Sequence, residues 1–201
     1  MTNKYDEKLH KEGYKVIVGL DEAGRGPMAG PLVVAGVALP EGIVIEGLDD
    51  SKKLSAKKRE VLSKEIKEKA LAYKIIFISE KEVDKINVLE ASKKGMIEVL
   101  ETINIAYDLS LSDAIKLPFE NNIALIKGDQ ISYNIAAASI LAKVARDEYM
   151  IELDKKYPEY NFKKHKGYVT KEHLELLNKY GPSKVHRKSF KPVTQAKKVA
   201  N

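Results

Sequence analysis

Asp21 and Glu22 close an apolar run, Val16-Ile17-Val18-Gly19-Leu20, and lead directly into Ala23-Gly24-Arg25-Gly26-Pro27. Carboxylate oxygens suit hard divalent cations such as Mg²⁺ or Mn²⁺. Glycine lets a ligand approach the backbone, and arginine matches the geometry of phosphate. Two more aspartates hold an equivalent position: Asp113 ends the stretch Asp108–Ser112, and Asp129 follows Ile123-Ala124-Leu125-Ile126-Lys127-Gly128. If these stretches are neighbouring strands of one sheet, Asp21, Glu22, Asp113 and Asp129 converge at its edge. Such charges raise one another's pKa, and bound divalent cations remove the conflict. Two oxygen-ligated ions about 3.5–4 Å apart clamp the attacking and leaving oxygens of an in-line phosphoryl displacement. One strand-end aspartate alone is more often a turn former or a helix cap; repetition at three strand ends is what points to metal. Neighbours in a regular strand face opposite sides, so Asp21 and Glu22 share a site only if the strand ends or bulges at Ala23-Gly24.

Gly24-Arg25-Gly26-Pro27-Met28-Ala29-Gly30 resembles a dinucleotide fingerprint on the surface. That fingerprint needs a helix N-terminus to meet the pyrophosphate. Pro27 and Pro31 bracket the segment here, and Leu32–Leu39 reads as a strand, so a tight turn offering backbone N–H groups to a sugar hydroxyl or phosphate is the better reading.

The elements that must position these groups follow from periodicity. Lys15–Leu20 and Leu32–Leu39 read as buried strands and Tyr73–Ile78 as a third. Asp108–Asp113 and Ile123–Ile126 read as two short strands around a loop carrying Pro118. Ser55 caps a helix to about Leu71, with Val61, Leu62, Ile66 and Ala70 inward. Asn87 caps another to about Thr102, with Leu89, Met96, Ile97 and Leu100 inward. A long alanine-rich helix runs from about Tyr133 to Lys156 and stops before Pro158. One last helix, Lys171–Lys179, closes at Gly181-Pro182. This order predicts an α/β layer followed by a helical, basic appendage.

Composition narrows the functional classes. The 201 residues suffice for one well-buried domain. Cysteine is absent, which excludes disulfides and thiolate zinc sites and suits a reducing cytoplasm. The first residues form no apolar leader, and Leu32–Leu39 is too short to cross a bilayer, so a cytoplasmic protein without membrane contact is expected. From Lys163 onward the chain carries net charge +9, leaving −3 on residues 1–162. A basic tail opposite an acidic site suits a polyanion; a merely solvated surface is the alternative. His165, His173 and His186 match no zinc spacing.

Beyond these local readings, the chain resembles ribonuclease HII, a type 2 ribonuclease H. The resemblance rests on Asp21-Glu22-Ala23-Gly24-Arg25-Gly26-Pro27, Asp50-Ser51-Lys52-Lys53-Leu54, Lys127-Gly128-Asp129 and Ala137-Ala138-Ser139-Ile140-Leu141-Ala142-Lys143-Val144. It continues through Arg146-Asp147, His165-Lys166-Gly167-Tyr168 and His186-Arg187-Lys188-Ser189-Phe190-Lys191-Pro192-Val193.

This resemblance implies a ribonuclease H-like mixed five-stranded sheet flanked by helices (residues 1–161) and a small helical substrate-binding module (residues 162–201). It implies cutting of RNA in RNA–DNA hybrids and on the 5′ side of single ribonucleotides embedded in duplex DNA, with two Mg²⁺ or Mn²⁺ ions and leaving 3′-hydroxyl and 5′-phosphate ends; a monomer is expected. The family's acids fall on Asp21, Glu22, Asp113 and Asp129. Its Gly-Arg-Gly segment is Gly24-Arg25-Gly26, facing the 2′-hydroxyl that distinguishes RNA, and its sugar-packing tyrosine is Tyr168. Lys52, Lys53, Ser139, Lys143, His165, Lys166 and Arg187 complete the expected substrate contacts. On the long helix Ser139, Lys143 and Asp147 form one i, i+4, i+8 stripe, where Lys143 meets phosphate or pairs with Asp147. One departure is local. Ser110 and Ser112 interrupt a strand that the family keeps more uniformly apolar, which predicts weaker burial before Asp113 and leaves Asp108, at the strand's other end, as its competitor.

Overall fold

The sheet is built outward from β1 (Ile17–Ala23), an apolar strand flanked on both sides. β2 (Leu32–Ala38) pairs antiparallel with it, and β3 (Ala72–Ile78) pairs antiparallel with β2. On the other side β4 (Leu109–Asp113) and β5 (Asn122–Leu125) run parallel to β1, giving the order β3-β2-β1-β4-β5. The computed structural model describes residues 3–49 and 51–199; Asp50, part of one block quoted above, lies outside the described residues.

Helices cover both faces. α4 (Tyr133–Lys156) and α2 (Ala56–Lys69) pack Leu62, Ile66, Ala137 and Leu141 against Ala35 and Val37. α3 (Glu80–Thr102) packs Met96, Val99 and Leu100 against Leu20, Leu32 and Val34 on the opposite face. β2 is buried along its whole length, as a strand between two helical layers must be. No helix among the described residues is long and apolar enough to cross a membrane.

Two predicted inward residues face out: Val61 is 59% exposed and Leu89 41% exposed. In α2 the buried set is Leu62, Ser63 and Ile66. In α3 the helix begins earlier than expected, at Glu80, where the Ser79 side chain accepts from the Glu82 amide at 3.2 Å. Asn87 then interrupts it with φ 65°, its side chain accepting from Leu89 and Glu90 amides at 2.9 and 3.1 Å. The cap is therefore real but internal, and the kink turns Leu89 outward.

The serines of β4 do not loosen it. Ser110 and Ser112 are wholly buried, because Asn122 on β5 satisfies them. Its side-chain amide donates to Ser110 Oγ at 3.1 Å, and its carbonyl accepts from the Leu117 amide at 2.9 Å. Buried polar groups cost little once paired.

An N-terminal helix, α1 (Lys4–Lys11), was not expected. Its buried Asp6 accepts from the Asn134 amide at 2.9 Å and the Asn134 side chain at 2.8 Å, fastening it to the start of α4. After α4 the chain forms α5 (Phe162–His165), α6 (Lys171–Tyr180) and α7 (Lys191–Val199), where one helix was expected.

Candidate active site

Beyond Leu20, which pairs with Ser112, the β1–β4 ladder stops while β1 continues to Ala23. Asp21 and Glu22 therefore sit on an unbroken strand, in register with Ala35 and Val34; of the end or bulge expected, β1 shows the end, just after Ala23. With β4 ended, both side chains still reach one cavity of about 300 Å³. Asp113 lines it from the end of β4, and its Oδ1 accepts from the Gly128 amide at 2.7 Å. Asp129 follows in a buried turn after β5, its Oδ2 3.6 Å from Lys52 Nζ. Asp108 lies at the opposite end of β4, holding the Lys15 and Val16 amides at 2.8 and 2.9 Å.

The carboxylates are strained electrostatically. Burial, then Glu22 and Asp113, hold Asp21 well above the usual carboxylate range. Burial raises Glu22 to about 7; Arg25 opposes the rise and Asp113 adds to it. Glu22 Oε1 accepts from Arg25 Nη1 at 3.3 Å, whereas Oε2 is buried without a hydrogen-bond partner. Among the described residues no three His, Cys, Asp or Glu side chains are already contracted into a metal-holding cluster. An orphaned carboxylate oxygen beside mutually repelling acids, all hard oxygen donors, nevertheless fits a divalent cation.

The floor and rim come from α4 and the glycine turn. Ser139 hydrogen-bonds Asp21 and stands 2.8 Å from Ser51 Oγ. Lys143 pairs with Asp147 at 2.7 Å and lies 5.5 Å from the Tyr168 ring centre, so its ion pair and its place in the cavity coexist. Gly24 has φ +103°, and a Cβ there would lie 2.3 Å from Arg146 Nε, so only glycine fits. The segment after it runs into β2 and not into a helix, which removes the dinucleotide reading.

A family model described as Ribonuclease HII matches residues 18–193. The chain belongs to the ribonuclease HII family. It is 51% identical over 187 residues to Ribonuclease HII of Caldicellulosiruptor bescii, covering 92% of this chain and 91% of that one. Against Ribonuclease HII of Acholeplasma laidlawii it is 46% identical over 191 residues, 95% of each chain. The crystal structure of the ribonuclease H2 from Pyrococcus horikoshii OT3 superposes with TM-score 0.78 at 26% identity, covering 91% of this chain and 97% of that one. As a ribonuclease HII the chain is a metal-dependent nuclease that hydrolyses the RNA of RNA–DNA hybrids.

Two substrate contacts expected from the resemblance to ribonuclease HII, Arg187 and His165, are corrected by their burial. Arg187 is wholly buried: its Nε donates to the Gly30 carbonyl at 3.0 Å and Nη1 to the Arg25 carbonyl at 3.2 Å. It braces the glycine turn from beneath and cannot meet a phosphate. His165 is buried too, its ring nitrogens engaged by the Tyr160 carbonyl at 2.7 Å and the Gly167 amide at 3.2 Å. Lys166 gives its ammonium to the Lys163 carbonyl, and its own carbonyl accepts from Arg146 at 2.9 Å. Lys53, with an exposed side chain, pairs with Asp49 at 3.4 Å.

Two functional supports were missed. Arg146, quoted only as part of a sequence block, is wholly buried and donates to Pro31, Ala29 and Lys166 carbonyls at 3.0, 3.1 and 2.9 Å. It ties the glycine turn to the segment carrying Tyr168. Arg59 on α2 donates to the Ser51 carbonyl at 3.0 Å and lies 3.7 Å from Asp147, fixing the Lys52 turn to α4. An arginine inside an apolar helical stripe was the only available signal for Arg146.

Proposed function

We propose that the chain cuts on the 5′ side of single ribonucleotides embedded in duplex DNA as well as within hybrids, leaving 3′-hydroxyl and 5′-phosphate ends. One observation carries this reading. Asp21, Glu22, Asp113, the Gly24–Gly26 turn and Tyr168 line a single cavity, so the acids stand beside a surface able to test for a ribose.

Asp21, Glu22, Asp113 and Asp129 would hold two Mg²⁺ or Mn²⁺ ions, which when bound supply the Lewis acidity that activates water and steadies the departing 3′ oxygen. The protein's own groups do the rest. Backbone N–H groups of Gly24–Gly26 meet the 2′-hydroxyl, on a turn whose packing against Arg146 leaves no room for a side chain at Gly24. Tyr168, 39% exposed and with its Cε1 4.0 Å from where a Cβ would stand on Gly26, packs against the neighbouring sugar. Lys143, Ser139 and Lys52 line the cavity and orient the phosphate. The exposed lysines of the C-terminal segment hold the duplex backbone.

The test is a labelled DNA duplex with one ribonucleotide, incubated with Mg²⁺, with Mn²⁺ and with EDTA. A cut 5′ of the ribonucleotide, ending in a 3′-hydroxyl and lost in EDTA, is expected. A cut on the 3′ side, or one that survives EDTA, overturns the reading.

A further inference from the structure

The three histidines that match no zinc spacing stand together beneath Tyr168. His165 and His173 rings stack with centroids 4.1 Å apart and planes inclined by 15°, and His173 Nε2 lies 3.1 Å from His186 Nε2. All three are buried, with Phe162 edge-on to His165 and His173. A core that needed only volume would use leucine here. Instead four of the six ring nitrogens meet named backbone groups, and the other two, Nε2 of His173 and of His186, face each other.

Those partners fix every proton. The Ser183 amide can only donate, and it reaches His186 Nδ1 at 3.0 Å; with the Ser183 hydroxyl, 2.8 Å from the same nitrogen, also donating, that nitrogen carries a lone pair and the proton sits on Nε2. His186 Nε2–H then faces His173 Nε2, which must accept. The proton of His173 is left on Nδ1, 2.9 Å from the Tyr168 carbonyl, which can only accept. Read from either end, the assignment is the same. His165 donates from Nε2 to the Tyr160 carbonyl and accepts the Gly167 amide at Nδ1. Burial lowers His173 to about 4 and His186 to about 3, consistent with two neutral rings.

We propose that His173 and His186 are positioning residues for Tyr168: a one-way chain of hydrogen bonds through two neutral imidazoles fixes the backbone beneath the sugar-facing ring, and thereby sets the preference for a ribonucleotide followed by DNA. This rests on the reading that Tyr168 packs on the sugar. The chain acts on a segment already under constraint. Gly167 has φ +80°, a Cβ there would lie 2.4 Å from the Ala29 carbonyl oxygen, and the Gly167 carbonyl accepts from the Met28 amide at 2.9 Å. The Tyr168 amide donates to the His165 carbonyl at 2.9 Å. Small movements of this backbone therefore swing the ring relative to Gly26 and Lys143.

The first test uses the unmodified, ¹⁵N-labelled full chain at neutral pH. Long-range proton–nitrogen correlation spectra should show His173 protonated on Nδ1, and His165 and His186 on Nε2. A His173 protonated on Nε2 overturns the proposal, whatever the variants do. The second test compares His173→Asn, which keeps an N–H donor near the Nδ1 position, with His173→Leu, which fills the space without one. The readout is kcat/KM on a single-ribonucleotide duplex divided by kcat/KM on a continuous hybrid.

His173→Leu should lower this ratio by about tenfold, the scale of losing a group that orients a contact residue, and His173→Asn should largely restore it. In a Tyr168→Ala background His173→Leu should change the ratio no further; an equal further drop means that His173 does not act through Tyr168. If Tyr168→Ala alone leaves the ratio unchanged, the sugar-contact reading fails and the selectivity falls with it, while the proton assignments still stand. If His173→Leu does not fold, the spectra of the unmodified chain decide.

Discussion

Arg25 Nη1 lies 3.3 Å from Glu22 Oε1, while the other oxygen of the same carboxylate is buried with no partner. Glu22 is thus half-compensated: one oxygen is held by a nearby cation and one is left for a ligand the protein must recruit.

A pH dependence follows. Burial raises Glu22 to about 7, so near neutral pH a proton and a divalent cation compete for it. Metal binding should tighten as pH rises through 7, and at limiting metal the cutting rate should rise with it. Raising the metal concentration should move this acid limb to lower pH. Arg25→Ala removes a group that favours the charged form and should move it up. A limb that ignores metal concentration would show that Glu22 is not a ligand.

Asp21→Asn and Asp129→Asn should each lower cutting by more than about 100-fold, beyond the loss typical of groups that only support a ligand. Binding to a hybrid should be kept or improved, since a negative charge near phosphate is removed. Single-turnover cleavage and a filter-binding titration measure the two. Cutting near the wild-type rate by either variant would exclude that acid from the site.

Arg187→Ala leaves the Gly30 and Arg25 carbonyls without their donor and opens a hole in the core. A loss of about 3 kcal/mol is expected from unsatisfied buried groups and lost packing, read from urea midpoints. Arg187→Lys should recover little of it, because a single ammonium cannot span both carbonyls as the planar fork does. A salt titration of duplex binding should leave the slope unchanged for Arg187→Ala, whereas Lys184→Gln with Lys188→Gln, both exposed, should flatten it.

The buried imidazoles also make acid destabilising. Burial lowers His165, His173 and His186 below 6.5, so between that pH and their folded values the unfolded chain binds more protons. Their stabilising contribution is present above pH 6.5 and fades as pH falls, by up to about 1.4 kcal/mol per pH unit for each proton. Asp6, Asp21 and Glu22 have raised values and work the opposite way. The measurement therefore belongs in an Asp6→Asn, Asp21→Asn, Glu22→Gln background, where unfolding free energy should drop between pH 6.5 and 4.5. A flat profile there would contradict the neutral buried rings.

Much of this was legible in the residues. α4 was expected from Tyr133 to Lys156 and spans those residues, because alanine-rich helix meets a capping Ser132 and a terminating Pro158. The strands bearing Asp21 and Asp113 were readable, the first because an apolar run leads into the acid, although β1 runs on to Ala23, and the second because β4 ends at Asp113 despite its serines. What was not readable depends on partners distant in sequence. Arg187 and His165 look like surface cations until Gly30 and Tyr160 are seen to claim them. Ser110 and Ser112 look like interruptions until Asn122 arrives beside them. Asp6 announces nothing locally, since its partner Asn134 is far along the chain.

The glycine turn near residue 25 is held by Arg146, by Arg187 and by pairing of Ala29 with His186. During synthesis, then, this turn cannot be braced in full until nearly the whole polypeptide has left the ribosome, although the strands carrying Asp21 and Asp113 emerge much earlier.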